Sequence, residues 1–325
     1  MTHRSLRSFS GVTALAVGMW LAADPVVGQA PANGAKPVAT AAKAYAPPRT
    51  PDGQPDLQGF WTNSTYTPLQ RPNSVTKEFY TPDEVAAAEK RAAEREDGQT
   101  APGTQADVHY DGTQFGLTRS QSPFGRNLRT SLIVDPPDGK LPALAPEGQK
   151  RASDYLELRK RMGGRWDSAQ NNELDDRCIS TPNVGPPMLP YPYNNNYQIV
   201  QSPGYVAILT EMMHLARIIP LDERPRPGGN LRLLTGISRG RWEGDTLVVE
   251  TTNLNRETLF GGVDLDGPID RSNPFRGVGD NVRVTERFTR VQADIISYKF
   301  TVEDVTTWTR PWSCLLYTSP SPRDS

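Results

Sequence analysis

In the stretch NVRVTERF, residues 281–288, apolar side chains recur at every second position: Val282, Val284 and Phe288. Glu286 falls in the same series. Side chains alternate between the two faces of a strand, so Glu286 points where the valines point. The same parity joins Leu215, Arg217 and Ile219, and it joins Leu209 to Glu211. If that face lines an interior, two carboxylates and a guanidinium are withdrawn from water, and buried ions must be paired or used. The plain reading is a structural pair between Arg217 and a carboxylate. The functional reading makes Glu211, Arg217 and Glu286 polar anchors at the base of a ligand cavity. The loop YPYNNNYQ, residues 191–198, adds Tyr193 and Tyr197 beside three asparagines. Aromatic rings next to amides hold sugars by stacking and directed hydrogen bonds, although Asn and Pro are also ordinary turn residues.

Other spacings carry less. GISRG, residues 236–240, has the Gly-x-Ser-x-Gly form of a hydrolase nucleophile elbow. That elbow needs a helix after the serine and a later histidine. Here a turn and a strand-like run follow, and both His109 and His214 precede Ser238. VDLDGPID, residues 263–270, gathers Asp264, Asp266 and Asp270 around a turn but lacks the spacing of an EF-hand and its bidentate glutamate. Glu211 and His214 stand three apart, a di-metal spacing that works only on a helix, whereas strand residues three apart face opposite ways. The reading therefore expects no metal and no cofactor. For a catalytic alternative, Glu286, Glu250 and Asp304 are the carboxylates available for acid/base work.

These side chains need a frame. TPDEVAAAEKRAAERE reads as a helix: Thr81 caps it, Pro82 sits in its first turn, and Glu84 completes a capping box. EGQKRASDYLELRKRM reads as a second helix with Ala152, Tyr155, Leu156 and Met162 on one stripe, stopped by Gly163 and Gly164. From Tyr197 the texture changes to strands, with hairpin turns at Glu243-Gly244-Asp245 and at Gln292-Ala293-Asp294. The expected fold is mainly β, an antiparallel meander curled into a lipocalin-like barrel or folded as a two-sheet sandwich. The two helices are accessory. Curling removes exposed edges.

The ends read differently from the middle. Residues 1–30 have a basic start, a short apolar run and small residues before a cut, the pattern of a secretory signal peptide. The expected location is therefore secreted or periplasmic, with no membrane span after the signal is removed. Residues 31–50 form a Pro/Ala linker, residues 51–190 a helix- and loop-rich region, and residues 191–312 the meander. Residues 313–325, SCLLYTSPSPRDS, read as a translated sequencing adapter and are set outside the fold. The chain carries 36 Lys and Arg against 37 Asp and Glu and shows no basic stripe, which excludes nucleic acid as an expected partner. A lone Cys178 in an exported chain points to a partner lost beyond residue 312 or to pairing between molecules.

PDLQGFWTN (residues 55–63), RCIS (177–180), SRGRWEGDTLVVETTNL (238–254) and ERFTR (286–290) together resemble one family of secreted bacterial proteins without an assigned activity. The resemblance spans residues 51–312, and GRWEGDTLVVET is its most specific part. In that family Thr-Arg-Pro-Trp is followed by a segment with Cys-His-Glu-Gly-Asn, whose place is taken here by the adapter-like tail. The resemblance implies export and a β-rich body, a lost cysteine for Cys178 and a lost His-Glu pair. It implies no reaction. Two functions are carried forward: an exported non-catalytic binding module for an apolar or glycan-like small molecule, and an extracellular hydrolase or lyase using carboxylates.

Overall fold

Alternating side chains from Asn196 onward do curl into a barrel. In the computed structural model, the described residues run from 45 to 321, apart from 66, 100–127, 165–166, 173, 175, 192–193, 256–274 and 276. They form β1 (Gly59–Thr62), α1 (Pro82–Gln99), β2 (Ile133–Asp135), α2 (Pro146–Met162), β3 (Asn196–Ser202), β4 (Tyr205–Thr210), β5 (Ala216–Pro220), β6 (Ile237–Glu243), β7 (Thr246–Thr252), β8 (Arg283–Gln292), β9 (Ile295–Glu303) and β10 (Trp312–Pro320). Both hairpins expected from their turns are present, as β6–β7 and β8–β9.

The strands make one ten-stranded sheet in the order β5-β4-β3-β1-β10-β9-β8-β7-β6, with β2 attached to β10. Every pairing is antiparallel. An odd number of strands along that path leaves its two ends, β5 and β6, running in the same direction. They meet and nearly close the barrel without a hydrogen-bonded ladder among the described residues. Gly240 makes the meeting possible. A Cβ there would lie 2.9 Å from Cγ2 of Ile219 and 2.7 Å from Cδ2 of Leu221.

The helices begin as their sequences require. Glu84 N–H donates to Thr81 Oγ1 at 3.3 Å while Thr81 N–H donates to a Glu84 carboxylate oxygen at 2.8 Å, a closed capping box. Ala152 of α2 is buried, and Arg151 beside it donates to the carbonyls of Gly277 and Thr306, which staples the helix to the barrel.

Two elements correct the sequence reading. β1 was not expected, because four residues are too few to show a period. Residues 313–320 were set outside the fold, yet they form β10 between β1 and β9, with Cys314 and Leu316 facing the core. The alternation was hidden because the outward positions Leu315 and Tyr317 are apolar as well. The strand path consequently ends at β5 and β6.

The inner face is apolar and aromatic, with Phe288 stacked on Tyr298 at 4.8 Å between ring centroids and Trp312 edge-on to Phe300 and Trp308. The outer face divides in two. Outward positions of β6 to β9 carry Arg241, Glu243, Glu250, Arg287, Lys299 and Glu303, several of them in ion pairs. Outward positions of β1, β3, β4 and β5 carry no carboxylate, ammonium or guanidinium.

Candidate functional site: a buried ion pair in the barrel

β8 presents Val284, Glu286 and Phe288 to the interior, as its alternation demands, and all three are buried. β5 presents Arg217 and Ile219 from the opposite end of the strand path. The two charged residues meet across the interior. Arg217 Nη2 donates to Glu286 Oε1 at 3.1 Å, and Nη1 stands 2.8 Å from Oε2 as an ion contact not aligned as a hydrogen bond. Glu286 is fully buried and Arg217 is 5% exposed.

A third group completes the site. Tyr298, from β9, donates its hydroxyl to Glu286 Oε1 at 2.8 Å and accepts the backbone N–H of Met188 at 3.0 Å. Burial, followed by the neighbouring Glu286 charge, holds the Tyr298 phenol well above its ordinary range, so it stays a proton donor to the carboxylate. Met188 belongs to the segment between α2 and β3 and is itself buried. Asn63 Nδ2 donates to the Met188 carbonyl at 3.0 Å and Tyr197 donates to the Asn183 carbonyl at 2.9 Å. Burial also raises Tyr197 above its usual value.

Even so, the site is not fully satisfied. Arg217 Nε, Arg217 Nη1 and Glu286 Oε2 are buried without a protein hydrogen-bond partner. Trp242 Nε1, on the inner face of β6, is in the same position. Leaving such a group dry costs about 1–3 kcal/mol, and more when it is charged.

Of the residues expected to act together, the structure unites Arg217 and Glu286 and bonds Tyr197 to the segment that carries Met188. Glu211 is a correction. Leu209, whose parity Glu211 shares, faces outward, so Glu211 points away from the interior; it stands before a 3-10 turn, Met212–His214, and takes a hydrogen bond from Asn196 Nδ2 at 2.7 Å outside the core. His214 lies in that turn. Tyr193 and the VDLDGPID loop fall outside the described residues. Asn195 binds the backbone of Tyr191 through both ends of its amide, as a loop connector does. Ser238 lies inside β6, paired with Thr251 and sharing a 2.8 Å hydrogen bond with it, so a strand and no helix follows it and GISRG forms no elbow. Tyr298 was missed, although Ile296, Tyr298 and Phe300 share the alternation that exposed Glu286.

The carboxylates named for acid/base work occupy separate places. Glu250 faces outward and pairs with Arg241 at 2.8 Å. Asp304 accepts from Thr306 N at 2.9 Å, Thr306 Oγ1 at 2.7 Å, Thr307 Oγ1 at 2.5 Å and Gly279 N at 3.1 Å. Burial would raise Asp304, but these hydrogen bonds outweigh it and hold the carboxyl below its ordinary value. Among the described residues no group of three or more His, Cys, Asp or Glu is placed to hold a metal. None of their helices is long and apolar enough to cross a membrane. Cys178 is exposed and Cys314 buried, both as free thiols.

Compared with family models, with curated proteins and with solved structures, the chain has no match.

Proposed function

We propose that the protein is a binding module that takes a small, largely apolar molecule carrying a hydrogen-bond acceptor into the interior of its barrel. One observation carries this reading: the Arg217 guanidinium is held in place by Glu286 while its buried Nε has no protein partner. A purely structural ion pair in a dry core is expected to use all its donors, because each unused one is costly. Here the pair neutralises the net charge, and a donor remains for a ligand oxygen. Tyr298 and the Met188 amide fix the carboxylate, so the guanidinium is preorganised. The aromatic lining supplies apolar contact.

The arrangement offers less to carboxylate acid/base chemistry. Glu286 faces a guanidinium and a phenol rather than a second carboxylate, and Glu250 and Asp304 are bound elsewhere.

A fluorescent probe with apolar rings and an anionic acceptor, 8-anilinonaphthalene-1-sulfonate, tests the reading. Titration is expected to show saturable binding to the folded protein. The paired variant Arg217→Met/Glu286→Leu, which removes both charges together, is expected to keep a cooperative melt and lose that binding. No saturable binding, or binding indifferent to the double variant, overturns the proposal.

A further inference from the structure

We infer that the uncharged outer sector of the barrel is a self-association surface, on which a second copy of this chain docks to form a weak twofold dimer. Cross-strand register builds the patch. Phe60, Gln198, Leu209 and Ala216 stand in one outward row across β1, β3, β4 and β5, and Val200, Ala207 and Ile218 stand in the next. Phe60 is 44%, Val200 40%, Leu209 38% and Ile218 55% exposed. Four large apolar side chains on adjacent strands are a contiguous patch rather than scattered surface residues.

Charge selects the occupant. A partner bearing ions would leave them unpaired against this face, which is costly when water is excluded. A second copy offers the same ion-free surface, and a twofold axis sets like patches against each other. The charges stand at the rim: Arg224 lies over the Tyr205 ring at 5.3 Å and pairs with Asp222 beyond the end of β5. An apolar centre inside a polar rim is the anatomy of an interface. The size is also consistent. Four strands about 4.8 Å apart, each contributing roughly 20 Å of length, give roughly 400 Å² in projection. That lies below the ~800 Å² per partner of a standard stable interface and within the range of reversible ones.

Sedimentation velocity on the full chain, across a wide dilution series, tests the assignment. Dimer is expected at high concentration, dissociating on dilution. Leu209→Lys/Ile218→Lys places like charges across the axis and is expected to raise the dimer dissociation constant at least about tenfold without lowering the melt, since both positions face outward. Val200→Lys gives a second, independent reading, and Arg241→Ala, in the charged sector, is expected to leave association unchanged. A wild-type monomer throughout the series overturns the inference, as does a dimer that survives both lysine variants. So does a wild-type monomer that floats with neutral phosphatidylcholine vesicles and loses flotation in the lysine variants, which would make the partner a lipid surface.

Discussion

Glu286 and Arg287 are neighbours in sequence, and each makes an ion pair, yet they lie on opposite faces of β8. Glu286 meets Arg217 in the interior with no exposure, whereas Arg287 meets Glu243 at 2.6 Å on an outer face where both are about two-fifths exposed. In water the outer pair gains little, because solvent screens it and holding two long side chains costs entropy. In the interior, separating the charges is prohibitive once both have been desolvated. A period of two thus makes one residue indispensable and its neighbour dispensable.

The comparison can be broken most severely at Glu286. Glu286→Ala is expected to cost about 3–5 kcal/mol in denaturant unfolding by stranding Arg217, and Arg217→Met/Glu286→Leu to recover most of that loss. An unchanged Glu286→Ala midpoint would show that the inner pair behaves like the outer one. Next comes the seam: Gly240→Val drives a side chain into Ile219 and Leu221 and is expected to cost about 1–3 kcal/mol, read as a lower thermal midpoint. Asp304→Ala removes four accepted hydrogen bonds and is expected to cost about 1–3 kcal/mol at neutral pH. Because Asp304 is held below its ordinary value, its contribution is present above the unfolded aspartate value of about 3.9 and fades as pH falls through the lower folded value. Melts of wild type and variant should therefore converge in strong acid. The smallest effect is expected for Glu243→Gln, whose melt should match wild type at moderate salt.

The sequence shows how far alternation carries a reading. Glu286 and Arg217 were legible because β8 and β5 keep a strict period through them. Glu211 keeps the parity of Leu209, but an apolar residue on that parity does not mark the inner face, because Leu209 itself faces outward. The helix starts were legible from Thr81 and Glu84, where capping is local chemistry. β10 was not, since Leu315 and Tyr317 erase the contrast between its faces. The Met188 amide that binds Tyr298 leaves no trace in the sequence, because a backbone group has no residue type.

The parallel meeting of β5 and β6 gives the barrel the mechanics of a tube slit along its length. Among the described residues no ladder of backbone bonds closes those lips, which rest on Ile219 and Leu221 packed against a glycine, whereas parting neighbouring strands along the ladder path ruptures a row of such bonds. On the inner side of that line Arg217 stands beside Ile219 and reaches across to Glu286 on β8, so an ion pair laces the slit from within.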